Sequence, residues 1–173
     1  VLFSGNEICD ARFSKSCGGV SELFSSCWND EDKSYLQPIR DSACHSLPDL
    51  TNEANAEKWI RSAPESFCNS NDDKVLSQVL NDYDLETKDF YRWKVVYKAT
   101  ELSALVKKNT GIDFGSIKNL VPLRRGASGR IIELLIEGTK KQMIIGKELE
   151  IRRVLSNSHL KSSAFVVDCF DAD

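Results

Sequence analysis

With 173 residues, the chain can bury one substantial core, or a main domain carrying a small appendage. Its 23 Lys and Arg stand against 26 Asp and Glu, and the net charge of −3 offers no basic field to nucleic acid or to an anionic membrane surface. No apolar run approaches the roughly 20 residues of a membrane span, and no signal peptide is evident; since the first residue is Val1 rather than Met, that absence does not argue for the cytoplasm.

In chain order, Val1 to Phe3, the turn Ser4-Gly5-Asn6 and the segment Glu7 to Phe13 predict a β-hairpin. Cys9, Ala11 and Phe13 alternate with Asp10 and Arg12, and the strand runs into Gly18-Gly19, where the backbone can take positive φ and lie close to a ligand or another segment. Ser14, Ser16 and Ser21, with the Gly18 and Gly19 amides, form a short row of donors and acceptors suited to sugar hydroxyls or an anion. A tight turn leaving a strand accounts for the same residues.

Phe24, Cys27 and Trp28 are spaced to anchor a loop under the core. From Asn29 to about residue 70 the pattern is irregular, acidic and interrupted by Pro38, Pro48 and Pro64, and reads as an insertion or subdomain, residues 29–70, on the main fold. Within it Thr51 is the expected N-cap of a helix whose Ala56, Trp59 and Ile60 face inward before Pro64 stops it. A short helix follows over 74–81. Tyr91, Trp93, Val95 and Tyr97 alternate with Arg92, Lys94 and Lys98, the clearest strand pattern in the chain; the aromatic row is either a core face or the wall of a cleft where Tyr91 or Trp93 stacks on a pyranose ring.

Thr100 is the expected cap of the next helix, with Leu102, Leu105 and Val106 inward and Gly111 just past its end. Strand signals at 117–123, 130–137 and 142–145, separated by Gly126-Ala-Ser-Gly129 and Gly138-Thr-Lys-Lys141, favour an antiparallel meander over parallel units. A helix over 147–155 and a strand over 164–167 complete the list. The fold class is α+β, a mainly antiparallel sheet with a few short helices and a polar, cysteine-containing insertion, in a single domain over 1–173.

Six cysteines at positions 9, 17, 27, 44, 68 and 169 suit two or three disulfides in an exported protein, with a bridge between Cys44 and Cys68 the preferred pairing; buried thiols acting as small hydrophobes are the alternative. Zinc is the competing use of Cys17, Cys27, Cys44 and His45, but no Cys-x-x-Cys or His-x-x-x-His spacing occurs, so no metal and no cofactor is expected. The serine-hydrolase elbow, phosphate loop, dinucleotide fingerprint and zinc-protease motif are all missing.

The stretch Cys9 to Glu22 resembles the Ser-x-Ser-(Ser/Cys)-Gly-Gly-x-(Thr/Ser)-Glu signature of the stage II sporulation protein D family, the amidase enhancers. A second block, Ile-Gly-Lys-Glu-Leu-Glu-Ile-Arg-Arg-Val-Leu-Ser at 145–156 with Leu-Lys-Ser-Ser-Ala-Phe-Val-Val at 160–167, is similar to that family's Gly-x-x-(Ile)-Arg-x-x-Leu and Ser-Ser-x-Phe pairing, and Trp93 and Gly129-Arg130 lie between the two as in the family. The resemblance implies a lytic transglycosylase acting on peptidoglycan glycan strands, leaving 1,6-anhydro ends, in an exported protein; some family members hold zinc near the Cys-Gly-Gly turn. The family's catalytic Glu belongs to an Ala-Glu-Met-type segment upstream, and its Gly-His-Gly-Val-Gly-Met-type block belongs downstream. Neither occurs here, so the chain resembles the centre of that domain and no catalytic residue is assigned within it.

The substrate-binding residues implied are Ser14, Ser16, Cys17, Gly18, Gly19, Glu22, Arg152, Ser162 and Ser163. Glu22 reads more readily as an acceptor that holds the turn than as an acid, and Arg152 equally as a carboxylate-binding fork or as a salt-bridge partner of Glu148. Peptidoglycan glycan strands are the expected partner, with no nucleic acid. The alternative reading is a non-catalytic wall-binding module that recruits or stimulates a cell-wall amidase.

Overall fold

The computed structural model describes residues 1–79 and 89–170. Its elements are β1 (Phe3–Ser4), β2 (Glu7–Ile8), α1 (Phe24–Cys27), α2 (Glu53–Ser62), α3 (Asp73–Val79), α4 (Ala99–Thr110), β3 (Ile117–Arg125), β4 (Ile131–Gly138), β5 (Gln142–Ile145) and α5 (Glu148–Val154). The chain is α+β, and both sheets are antiparallel.

The strands β3, β4 and β5 form the expected meander, with β4 in the centre, Val121 opposite Leu135, and Leu134 opposite Ile145. In β4 the apolar residues at alternate positions, Ile132, Leu134 and Ile136, are buried, while Glu133 and Glu137 reach the other face and bond Arg124 and Asn119. Leu134 and Ile136, with Ile131, join Val106 of α4, Ile151 and Val154 of α5, the following Leu155, Phe114 and Ile117 in the main core. Each such side chain contributes about 1.5–3 kcal/mol on leaving water, so this cluster is the stabilising centre of the fold. Pro122 is tolerated because β3 is an edge strand and its register shifts there.

The segment 29–70 packs with Val20 in a second, smaller core of Val20, Leu50 and Trp59, with Ile60 against it. Its helix α2 starts one residue later than expected. Asn52, whose side chain accepts from the Asn55 amide at 3.2 Å, is the cap, because Thr51 is engaged with Asp49. The chain leaves α2 through Ala63 in the left-handed conformation and then Pro64. Two strands of backbone meet at its edge: Val20 bridges Arg40 antiparallel, Ser21 N–H donates to the Ile39 carbonyl, and Asp41 N–H donates to the Gly19 carbonyl at 3.0 Å.

Several expected elements differ. The first hairpin is only two residues long on each side, since beyond Ile8 the segment to Phe13 has no ladder partner and Phe13 is exposed. The aromatic segment 91–97 is not a strand: Tyr91 is buried and Tyr97 donates to the Leu155 carbonyl, so its side chains are satisfied by packing and long-range bonds rather than by a ladder. The segment 164–167 is also outside any sheet; the nearby Ser163 carbonyl takes the Ile131 N–H, and the Phe165 carbonyl takes an Arg125 N–H. Helix α4 begins at Ala99, with Glu101 accepting from the Lys98 amide in place of a Thr100 cap, and ends on Gly111. The helix expected over 74–81 is α3, and the end of that expectation lies outside the described residues.

Candidate functional site

The Cys-Gly-Gly turn is gripped by arginines. Arg92 donates to the carbonyls of Gly18 at 3.2 Å, Tyr91 at 2.8 Å, Ile60 at 2.8 Å and Trp59 at 3.2 Å. Burial lowers its pKa from the usual guanidinium value, against the pull of Tyr91. Arg130 donates to the carbonyls of Cys17 at 3.0 Å and Val20 at 3.2 Å and to the Ser128 hydroxyl at 2.6 Å. Arg40 binds the Gly19 carbonyl and the Ser66 hydroxyl and lies 4.6 Å over the Trp59 ring. A planar fork with five donors suits this task, since one side chain can satisfy several loop carbonyls at once.

Gly19 takes φ of 102°, and a Cβ there would stand 2.8 Å from the Ser66 hydroxyl, 3.0 Å from the Tyr91 hydroxyl and 3.1 Å from the Trp59 ring. Glycine is required on both counts. The turn thereby sits flush against Trp59 and Tyr91.

A narrow cleft opens beside it. Ser16, Cys17 and Gly18 form one wall, the aromatic residues Trp59, Phe90, Tyr91 and Trp93 another, and Ser128, Arg130, Lys161 and Ser162 contribute polar edges. The enclosed space, about 30 Å³, has room for one water or one hydroxyl group, so a larger ligand lies across the rim. Among the described residues no Asp or Glu lines this cleft.

The expected site residues separate into three groups. Ser16, Cys17, Gly18 and Ser162 come together at the cleft, with Gly19 buried directly behind. Ser14 is exposed and Ser163 is fully buried, its carbonyl bound to Ile131, and neither lines the cleft. Arg152 lies away from the cleft walls, donating to the Leu160 carbonyl at 2.5 Å and reaching the buried Glu148 at 3.4 Å.

Glu22 is occupied as an acceptor. It takes the amides of Leu23 at 2.8 Å, Ala127 at 3.0 Å and Ser128 at 3.0 Å, and the Ser128 hydroxyl at 2.6 Å. It pins the Gly126–Gly129 turn against the Cys-Gly-Gly segment. Glu22 is a backbone acceptor, as weighed from sequence, but of the Gly126–Gly129 turn rather than of the Cys-Gly-Gly turn itself.

Three ionisable groups meet behind Cys17. The Cys17 and Cys68 sulfurs are 3.6 Å apart, and a carboxylate oxygen of Asp41 joins them, all three within 4.8 Å of one another. The hydrogen bond from the Cys17 thiol pulls Cys68 down from 9.0 to about 7, and Cys17 is raised correspondingly. Burial pushes Asp41 up, but hydrogen bonds from Cys68 and from Cys17 outweigh it and its pKa is lowered. The sulfur that Cys68 faces is therefore that of Cys17, not the expected Cys44, which is exposed. Cys27 is a different thiol, pushed up to about 12 by burial and by the nearby Glu148, and unsuited to nucleophilic work near neutral pH.

Arg40, Arg92, Arg130, Trp59 and Ser128 were not among the site residues expected from sequence. Their partners are mostly backbone carbonyls far along the chain, which leave no local pattern; only the Gly129-Arg130 pair was noted as a shared feature.

Fold and cleft define a small α+β domain with a polar, aromatic-walled recess. The chain belongs to the family described as Domain of unknown function (DUF8618), whose family model matches residues 22–172. No curated protein and no solved structure matches it. The matched span begins at Glu22, so it takes in the aromatic wall and Ser162 but not the Cys-Gly-Gly turn.

Proposed function

We propose that this chain binds peptidoglycan glycan strands across the cleft, as part of an exported protein with lytic transglycosylase-like activity. The observation that carries the reading is the convergence of aromatic side chains, the part-buried Phe90 and Trp93 in front of the buried Trp59 and Tyr91, with the hydroxyl-bearing Ser16 and Ser162 at one recess. A pyranose ring offers an apolar C–H face and projecting hydroxyls, and a recess that admits one hydroxyl beside aromatic side chains such as Phe90 and Trp93 suits both. The resemblance of residues 9–22 and 145–167 to the sporulation protein D family supplies the polymer class.

Cleavage on this reading needs one carboxylic acid. It protonates the glycosidic oxygen as the bond to the anomeric carbon breaks, then takes the proton of the muramoyl 6-hydroxyl as that oxygen attacks the same carbon, so the acid is regenerated and a 1,6-anhydro end forms. Glu22 is engaged by four donors, so the acid is assigned to the Glu of the family's upstream motif rather than to this cleft.

The absence of a carboxylate from the cleft among the described residues also favours a second reading, a non-catalytic wall-binding module that recruits or stimulates an amidase. The two are separated by digesting peptide-free glycan strands with this chain and with its full-length parent, and analysing the products by mass spectrometry. Anhydro ends from the parent alone support the transglycosylase; glycan binding with no anhydro product from either supports the module. Neither binding nor product sinks both.

A further inference from the structure

Cys17, Asp41 and Cys68 are separated by 23 and 26 residues, spacings that signal no metal motif. The fold brings them together in three steps. The antiparallel bridge of Val20 to Arg40 sets Asp41 beside the Cys-Gly-Gly turn, the Asp41 carbonyl takes the Phe67 amide at 2.9 Å, and an Asp41 carboxylate oxygen takes the Cys68 amide at 2.9 Å. Arg130 holds the Cys17 carbonyl from the opposite side.

We infer that the Cys17 and Cys68 sulfurs and the Asp41 carboxylate form a binding site for one thiophilic divalent cation of the zinc type, which ties the segment around Asp41 and Cys68 to the Cys-Gly-Gly turn. Zinc–sulfur bonds of about 2.3 Å at the tetrahedral angle put two sulfurs about 3.8 Å apart, close to the 3.6 Å found. Two thiolates and a carboxylate suit a cation that is neither calcium nor magnesium, which prefer all-oxygen shells. Binding exchanges two thiol protons for the metal, so the three groups are held together without mutual repulsion. The amide of Cys68 on the carboxylate orients that ligand as an outer partner.

Asp41 decides between this and the other chemistry open to paired cysteines. A disulfide draws the sulfurs to about 2.05 Å and removes both thiol protons, leaving a carboxylate facing two sulfurs that no longer donate to it. A cation gives the carboxylate a charged partner in addition to the Cys68 amide. Cys27, Cys44 and His45, the other candidates raised by sequence, are not in this group, and among the described residues it is the cluster of three that converges. The fourth position falls to water or an added ligand, with the Cys17 wall of the cleft alongside. The inference does not depend on the glycan reading.

The test is cobalt and zinc titration of the reduced full chain, with a chromophoric chelator as competitor. One equivalent of cobalt giving a thiolate charge-transfer band in the near ultraviolet, displaced by zinc, is expected. Cys17→Ser and Cys68→Ser lose the band while Cys27→Ser keeps it. Outer partners alone change affinity by about 10- to 100-fold, so Asp41→Asn weakens zinc by at least about tenfold. Because the serine variants can misfold, alkylation of the wild-type chain provides an independent reading: zinc shields Cys17 and Cys68, and the exposed Cys44 and Cys169 still label. A chain that takes up no metal after reduction, that keeps its band in both serine variants, or whose Cys17 and Cys68 label as fast with zinc as without overturns the inference.

Discussion

The guanidinium of Arg125, itself 1% exposed, grips the half-exposed carboxylate of Glu53 through two bonds of 2.6 and 2.7 Å. The same guanidinium donates to the Gly129 carbonyl at 2.7 Å and the Phe165 carbonyl at 3.0 Å. One side chain thus joins the insertion helix, the turn of the meander and the segment after Ser163. Its position also fixes where the aromatic wall stands relative to the Gly126–Gly129 turn.

That arrangement predicts that the two residues are energetically coupled although one of them is half-exposed. Removing the more exposed partner, Glu53→Ala, leaves the buried guanidinium with its two carbonyl partners, and because solvent screens the half-exposed Glu53 the cost falls below the roughly 3–5 kcal/mol of a fully buried pair. Replacing the buried one, Arg125→Met, leaves Glu53 free to hydrate and costs chiefly the two unpaired carbonyls, about 1–3 kcal/mol each. Urea unfolding of both variants and of the double variant checks this; the double change costs less than the sum of the single ones. Full additivity would mean that the two residues do not act as a pair.

Much of this frame was legible in the sequence because local periodicity and local topology agree there. Ile131 to Ile136 alternates, its turns are short, and the meander follows; Gly111 ends α4 as its position implies. Tyr91 to Tyr97 alternates as well, yet it is not paired, since alternation reports that side chains face two environments and does not say that a neighbouring strand supplies one of them. Of the residues singled out from sequence, Ser16, Cys17, Gly18 and Ser162 line the cleft and the others do not, while Arg92 and Arg130 bind carbonyls 74 and 113 residues away, a relationship with no linear signature. Asp41 has no linear signature for the same reason. Its role comes from the Val20–Arg40 bridge, not from its neighbours in the chain.

Gly19→Ala tests the turn. The added methyl meets Ser66, Tyr91 and Trp59 within 3.1 Å, and the backbone is held at φ of 102°, which an L side chain resists. Strain of this kind costs about 1–3 kcal/mol before the contacts are counted. Thermal unfolding therefore shifts down, and glycan binding falls further than the loss of folded protein explains, because the turn lifts from the aromatic wall. Ser14→Ala, on an exposed residue away from the cleft, leaves both unchanged.

Glu22 separates a structural acceptor from an acid. Glu22→Ala leaves the Ala127 and Ser128 amides unpaired, at about 1–3 kcal/mol each, whereas Glu22→Gln keeps one carbonyl acceptor and costs less. A turn-holding role predicts that glycan binding and any cleavage by the parent protein track folded fraction across wild type, Gln and Ala. A well-folded Gln variant with cleavage abolished but binding intact would instead assign the acid to Glu22.

Cys27 gives the pH dependence. Burial and the proximity of Glu148 raise its folded pKa from 9.0 to about 12, so the folded state holds the thiol proton more tightly than the unfolded chain does. The resulting stability is fully present below pH 9, where the thiol is protonated in both states, and is lost as pH rises through the window from 9 to about 12. Unfolding midpoints measured at pH 8 and at pH 10.5 will therefore fall more in the wild type than in Cys27→Ala, which lacks this titrating group and keeps only the alkaline loss from other raised groups such as Cys17 and Tyr97. The thiol's reactivity follows the same sign: at pH 8 Cys27 alkylates more slowly than Cys44 and Cys169, both exposed, and catches up only when denaturant is added. Equal rates in the folded chain, or an alkaline loss that persists unchanged in Cys27→Ala, would remove Cys27 from the interior position described for it.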